Sequence, residues 1–96
     1  MSKLDTFDYL NASDDQLKSH WAGKVAPHLI GKKIVGVEWQ TDEERDNMGW
    51  HSCAVKILVE NNGGNLIELI PMRDDEGNDA GAIATNMTPC HTIPVI

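Results

Sequence analysis

The clearest structural signal in this chain is the segment CAVKILVENNGGNLIELIPM, residues 53–72. In its first part, apolar side chains occupy every second position from residue 53, and this period of two is typical of a half-buried β-strand. The following NNGG, residues 61–64, favours a tight turn, because Asn and Gly adopt positive φ at little cost. We therefore predict a hairpin in which a strand at 53–60 pairs antiparallel with a strand at 66–72.

A helix is predicted ahead of the hairpin. Ser13 and Gln16 have the spacing of a capping box, in which each side chain bonds to the other residue's backbone amide. Apolar side chains then recur every fourth residue, on the face that we expect to be buried: Leu17, Trp21 and Val25. Pro27 disfavours helical geometry in the residue before it, so we expect the helix to end at or just before Ala26.

Between this helix and the hairpin, a first strand and a helical turn are expected. Residues 31–39 are rich in β-branched side chains. Their alternation predicts that three apolar residues share one face: Val35, Val37 and Trp39. Thr41-Asp42-Glu43-Glu44 repeats the capping-box pattern and opens a short helical turn that Gly49 can close.

The C-terminal part completes a small α+β fold. Short strands are expected at 80–85 and 93–96, with a break at Thr88-Pro89-Cys90 between them. The chain then has one N-terminal helix and four or five mostly antiparallel strands, as a small curved sheet or an SH3-like partial barrel. We predict an N-terminal arm at residues 1–12 and a single α+β domain at residues 13–96.

The charge balance limits the partners. The 96 residues include 15 Asp and Glu against 8 Lys and Arg, which gives a formal net charge of −7. Such a charge disfavours nucleic acid and anionic membrane surfaces, and it favours a basic protein or another cation. We therefore expect a protein partner, no nucleic-acid partner and no membrane.

The location of the protein is expected to be the cytoplasm. No apolar run approaches the roughly 18 residues that span a bilayer, and the first residues lack the apolar core of a signal peptide. In a reducing compartment, Cys53 and Cys90 are expected to be free thiols.

The most unusual segment is the loop Arg73-Asp74-Asp75-Glu76-Gly77-Asn78-Asp79. Its three consecutive acids repel one another unless Arg73, backbone amides or a bound cation compensates their charge. The loop is not an EF-hand, because Met72 would stand at the first ligand position if Gly77 took the invariant glycine position. Three interpretations remain: an ordered turn in which Asp side chains cap backbone amides, a partner surface, or a divalent-cation site formed by Asp74, Asp75 and Asp79.

Trp50 and His51 are expected beside this loop. They precede one strand of the hairpin and the loop follows the other, so antiparallel pairing brings the two segments together. Trp50 is either a lid on the core or an aromatic wall that holds a cation. The candidate binding residues are Trp50, His51, Arg73, Asp74, Asp75, Glu76, Asn78 and Asp79.

Other chemical motifs in the sequence are weak. A zinc site would require four residues to converge: His51, Cys53, Cys90 and His91. Neither cysteine has a recognisable catalytic base or oxyanion-hole motif around it, and the glycines do not form a phosphate-binding loop. We expect no cofactor, with a divalent cation in the acidic loop as the alternative.

Four segments occur in an order that resembles a known group of proteins. They are LIGKKIVGV at 29–37, the segment from Glu43-Glu44 to Gly49-Trp50, RDDEGNDAGA at 73–82 and the closing IPVI at 93–96. Together they resemble small proteins of bacteria and their phages, and the Asp-Asp-Glu-Gly-Asn block is the most specific part. Such proteins have no assigned activity, so the resemblance transfers no catalytic residue. It implies a stand-alone cytoplasmic accessory protein, with a phage origin as one option.

The sequence therefore favours a non-enzymatic binding module that recognises a protein or a small cationic ligand through the acidic loop. Two alternatives from other classes remain open. One is a divalent-metal-dependent enzyme, such as a hydrolase, that uses the same acids. The other is an assembly protein that forms a homodimer through the uncharged tail at residues 80–96.

Overall fold

The structure, a computed structural model, describes residues 6–96. Its contacts form two compact units, Met1–Lys32 and Lys33–Ile96. The first five residues of the predicted arm at 1–12 lie outside the described residues. Among the residues described, no helix combines the length and the apolar character that crossing a membrane requires.

The first unit contains helix α1, Asp14–Leu29. The predicted capping box is confirmed, because Ser13 N donates to Gln16 Oε1 at 2.8 Å and Gln16 N donates to Ser13 Oγ at 3.2 Å. The predicted end at Ala26 is wrong, since Pro27 lies inside the helix. A proline in the last turn removes only its own amide from the helical ladder, and Ile30 N still donates to Ala26 O at 2.8 Å.

The predicted burial of Leu17, Trp21 and Val25 is also wrong. No residue of α1 is buried, and the side chains of Trp21 and Val25 are 51% and 44% exposed. Within the first unit, the helix contacts the preceding segment through His20, whose ring stacks on Phe7 with 3.9 Å between the ring centroids. Helical periodicity identified an apolar stripe, but it did not show which face would find a partner.

The second unit is built on the predicted hairpin. Strands β1 (Ile34–Trp39), β2 (Val55–Glu60) and β3 (Leu66–Leu69) form an antiparallel sheet in the order β1-β2-β3. The turn between β2 and β3 uses Gly64 at φ 84°, in the left-handed region that glycine adopts without a steric penalty. The hairpin is confirmed, with both strands shorter than predicted, because β2 begins at Val55 and β3 ends at Leu69.

Strand β1 departs from simple alternation. It begins at Ile34 rather than at residue 31, and a register shift between Ile34 and Gly36 interrupts the pairing with β2. Val37 lies opposite Ile57 and Trp39 lies opposite Val55, so these pairs share one face of the sheet. The bulge removes Val35 from that series.

Between β1 and β2, helix α2 spans Asp42–Asn47. Thr41 and Glu44 form the predicted capping box, with bonds of 2.9 and 3.1 Å. Gly49, at φ 72°, ends this turn and donates its amide to Asp46 O at 3.0 Å. The sequence predicted both ends of α2 correctly, because each end is capped by residues that are close to it in sequence.

The C-terminal segment forms a second, two-stranded antiparallel sheet from β4 (Ile83–Ala84) and β5 (Thr92–Ile93). The last residue returns to the hairpin, where Ile96 N donates to Cys53 O at 2.8 Å and Cys53 N donates to Ile96 O at 2.6 Å. The α+β class with one N-terminal helix and antiparallel strands is therefore confirmed. The five strands are divided between two sheets, in place of a single barrel-like sheet.

The core of the second unit is small. Trp50, Ala54 and Ala80 are buried together, and Ile70 packs against them. The chain approaches itself closely at Gly81, where an added Cβ would lie 2.6 Å from the carbonyl oxygen of Met72. This approach brings residues 79–81 beside the continuation of β3.

Replacing Gly81 with Ala is expected to lower the free energy of unfolding by about 1–3 kcal/mol, the usual cost of overpacking. Urea denaturation followed by tryptophan fluorescence measures it. Gly63→Ala is the matched control, because no atom lies within 4 Å of the added Cβ at that position. Equal stability of the two variants would contradict the close packing at Gly81.

Candidate functional site

The loop at residues 73–79 is closed at its base by backbone bonds. Arg73 N donates to Asp79 O at 2.8 Å, and Gly81 N donates to Pro71 O at 2.9 Å. At its tip, Gly77 at φ 71° donates its amide to Asp74 O at 3.2 Å. The acidic segment is therefore an ordered, hairpin-like turn.

Asp74 holds the inside of this turn. Its Oδ1 accepts the amides of Glu76 at 3.0 Å and Asn78 at 3.3 Å, and its Oδ2 accepts the side-chain amide of Asn78 at 2.8 Å. These bonds hold the pKa of Asp74 below its ordinary value, and the bond from the Asn78 side chain contributes most. Arg73 contributes less, since its Nε lies 4.0 Å from Asp74 Oδ2.

Asp79 fastens the loop to the segment that precedes β2. Its Oδ1 accepts three backbone amides, from Ala80 at 2.8 Å, His51 at 3.1 Å and Ser52 at 3.3 Å. The bond from Ala80 is the largest cause of a lowered pKa for Asp79, and the amides of His51 and Ser52 add to it. One carboxylate thus joins two parts of the chain that lie far apart in sequence.

Trp50 provides a second tie between these segments. Its side chain is only 5% exposed, and its Nε1 donates to Gly77 O at 2.7 Å. The sequence predicts Trp50 to be either a lid on the core or an aromatic wall that holds a cation. Its buried position is that of a lid on the core. The structure therefore brings both Trp50 and the backbone of His51 against the loop, while the His51 side chain is exposed.

The other candidate residues face solvent. Arg73, Asp75, Glu76 and Asn78 are exposed. Within residues 6–96, the structure gives the carboxylates of Asp75 and Glu76 no hydrogen bond and no ion pair. The loop therefore contains two kinds of acid: Asp74 and Asp79 hold the backbone, and Asp75 and Glu76 present free carboxylates.

The metal alternatives can be compared with this geometry. Among the described residues, no group of three or more His, Cys, Asp or Glu side chains is arranged to hold a metal ion. Two of the three suggested ligands, Asp74 and Asp79, already accept hydrogen bonds from amides. Both cysteines are free thiols, with Cys53 buried and Cys90 exposed. A divalent-cation site at the loop stays a prediction.

A cluster around Lys56 is the main feature that sequence reasoning missed. Lys56 is only 7% exposed, although alternation along β2 suggested a solvent-facing position. Its Nζ lies 2.7 Å from Glu44, 3.3 Å from Glu38 and 3.9 Å from Glu68. These glutamates belong to α2, β1 and β3, so one ammonium links four elements. The bond to Glu44 is the largest cause of a raised pKa for Lys56.

Two sequence signals point to this cluster in retrospect. Glu38 and Lys56 are opposite one another once β1 and β2 pair, and opposite charges at such positions attract. Glu44 occupies the third position of the α2 capping box, where its carboxylate is held near the helix start. Neither signal shows that α2 covers Lys56.

Comparisons with other proteins give no assignment: no protein-family model, no curated protein and no solved structure matches this chain. The resemblance to bacterial and phage proteins therefore stays a prediction.

Replacing Asp79 with Ala is expected to destabilise the fold and to make its stability less sensitive to acid. A carboxyl with a lowered pKa stabilises the folded state above its unfolded pKa of about 3.9, and this contribution is lost as the pH falls through the folded pKa. Urea midpoints of the wild type should therefore fall below about pH 4. The midpoints of Asp79→Ala should fall less steeply, and Asp75→Ala, which removes a carboxylate that has no hydrogen bond within residues 6–96, is the control for the loss of a charge. An unchanged pH dependence in Asp79→Ala would contradict the role of Asp79.

Replacing Lys56 with Met is expected to lower the free energy of unfolding by about 1 kcal/mol. The apolar stem keeps its packing, but three glutamates lose their shared cation, and their partial exposure limits the cost. Chemical denaturation at low salt measures the change, and Lys33→Met removes a charge from an exposed position as the control. A Lys56→Met protein as stable as this control would show that the cluster contributes nothing.

Proposed function

We propose that this chain is a non-enzymatic binding module that captures a basic partner through the exposed side of the loop at residues 73–79. The observation that carries the proposal is the division of the acids. Asp74 and Asp79 hold the loop in one conformation, and Asp75 and Glu76 project unpaired carboxylates from it. A site that is ordered before binding loses little conformational entropy when the partner arrives.

The charge distribution supports a basic partner. Residues 33–96 contain eleven of the fifteen acids and four of the eight Lys and Arg, so this unit carries the whole net charge of −7. A field of this sign attracts a cationic protein and increases its rate of encounter. Free carboxylates then provide charge-assisted hydrogen bonds to Lys or Arg at contact.

Helix α2 extends the same acidic surface. Its exposed acids are Asp42, Glu43 and Asp46. The end of α2 is held beside the loop region, because Trp50 N donates to Arg45 O at 3.1 Å while the indole of Trp50 bonds to Gly77. A protein partner can therefore contact more acids than the loop alone provides, which favours a protein over a small cation.

The resemblance to small bacterial and phage proteins supports the same class of function, a cytoplasmic accessory protein, with a phage origin as one option. The homodimer alternative receives no support from the tail. Residues 92–93 already pair with β4, and Ile96 pairs with Cys53, so part of its backbone is used within the chain.

Selection from a random peptide library against the wild-type protein tests the proposed function. We expect the bound peptides to be enriched in Lys and Arg. Replacing Asp75 with Asn together with Glu76 with Gln should weaken the best peptide at least tenfold, because both free carboxylates are neutralised. Fluorescence anisotropy at low and at physiological salt measures the dissociation constant.

The matched control for this experiment is Asp14→Asn together with Asp15→Asn. It removes two adjacent acids from the first turn of α1, and so changes the net charge equally. Affinity within twofold of the wild type is expected for the control. Selected peptides without basic residues, or a loop variant that binds as tightly as the control, would contradict the proposed function.

A further inference from the structure

A groove lies beside β3, an outer strand of the three-stranded sheet, and the proposed function gives this groove no role. The groove has a volume of about 420 Å³, and five of its six lining residues are apolar: Ile57, Glu68, Leu69, Ile70, Pro71 and Ile83. It therefore offers apolar surface next to a strand, with one charged group.

The groove lies on the face of the sheet that carries Ile57 and Leu69, which oppose one another across β2 and β3, and it also touches Ile83 of β4. Successive side chains of a strand point to opposite faces, so the Glu68 side chain projects from the other face, where Lys56 lies. A strand added beside β3 would therefore extend the apolar face with every second side chain and the face of Glu68 with the others. In the three-stranded sheet, β3 pairs with β2 on one side and has no strand neighbour on the other, as far as the described residues show.

The carboxylate of Glu68 lies on the opposite face of β3 from Leu69, and it is only weakly engaged. It lies 3.9 Å from Lys56 Nζ, whereas Glu44 and Glu38 lie at 2.7 and 3.3 Å. The Glu68 side chain is 52% exposed. Glu68 can therefore pair with an incoming cation while Lys56 keeps its two nearer partners.

We propose that the outer edge of β3 accepts an extended, basic segment of the partner as an additional strand. Its backbone would pair with residues 66–70, its apolar side chains would enter the groove, and a Lys or Arg would meet Glu68. Pro71 lacks an amide hydrogen and so limits the pairing at that end. This inference rests on the proposed function, because a segment that passes Pro71 reaches the loop and its free carboxylates, Asp75 and Glu76.

Charge decides between a basic segment and a second copy of this chain as the occupant. Two copies paired through β3 would bring two Glu68 side chains into one interface and join two molecules with a net charge of −7 each. Like charges opposite one another destabilise strand pairing. A basic segment has the opposite charge and faces no such repulsion.

The test uses a labelled peptide of alternating Lys and Val as the probe, and the same peptide with every Lys and Val residue N-methylated. Methylation removes the backbone donors from both edges of the peptide without changing its charge. We expect the unmodified peptide to bind, and expect methylation or Glu68→Lys to weaken binding at least tenfold. Asp15→Lys, an equal change of charge at an exposed position of α1, should weaken it less than twofold. Amides of residues 66–70 should become protected from hydrogen exchange when the peptide binds.

Several outcomes would overturn the strand proposal. Equal affinity of the methylated and unmodified peptides would show that backbone pairing is absent, and this result does not depend on any protein variant. A wild-type dimer in light scattering that Glu68→Lys dissociates would identify a second copy as the occupant.

The double variant Asp75→Asn and Glu76→Gln separates this proposal from the proposed function. If it abolishes peptide binding while methylation and Glu68→Lys have no effect, the loop binds the partner and the β3 edge does not. If methylation and Glu68→Lys weaken binding and the loop variant does not, the edge binds a basic strand and the proposed role of the loop is wrong.

Discussion

The Asp79 carboxylate is the interaction on which the second unit most depends. One oxygen accepts backbone amides from Ala80, His51 and Ser52, and so joins the segment before β2 to the segment after the loop. The indole of Trp50 adds a bond to Gly77 from the same side. Because these ties meet where Trp50, Ala54 and Ala80 are buried, the small core and the conformation of the acidic loop stabilise each other. Ala80 is buried, so the carboxylate also satisfies an amide that water reaches poorly.

The same use of charge recurs at Lys56. A domain of this size buries little apolar surface, so polar contacts carry a larger share of its organisation. Lys56 links α2 with all three strands of the sheet through Glu44, Glu38 and Glu68. The three glutamates are not equivalent, and the long distance to Glu68 leaves that carboxylate available at the edge of β3. Within this cluster, Glu44 and Glu38 hold Lys56, whereas Glu68 is the residue proposed to meet the partner. The acids of the loop are divided in the same way.

The sequence predicted the features that depend on neighbouring residues. Both capping boxes and the turn before β3 follow from local hydrogen bonding and backbone preference, and the pairing of β2 with β3 follows from the turn. The proximity of Trp50 to the loop followed from that pairing. The sequence did not predict that α1 continues past Pro27, that Trp21 stays exposed or that Lys56 is buried, because each depends on which surfaces meet in three dimensions. It also did not separate Asp74 and Asp79 from Asp75 and Glu76, since four similar carboxylates differ only in which amides they reach.

Asp74 and Asp79 hold the loop, and we propose that Asp75 and Glu76 bind the partner. Carbon-13 NMR of the side-chain carboxyl groups, during titration with the alternating Lys and Val peptide, separates these two roles. We expect the signals of Asp75 and Glu76 to shift on binding. Those of Asp74 and Asp79 should stay in place, with the amides of His51 and Ser52 still protected from exchange. Shifts at Asp74 and Asp79 with loss of that protection, or no shift at Asp75 and Glu76 when the peptide is bound, would contradict this division of roles.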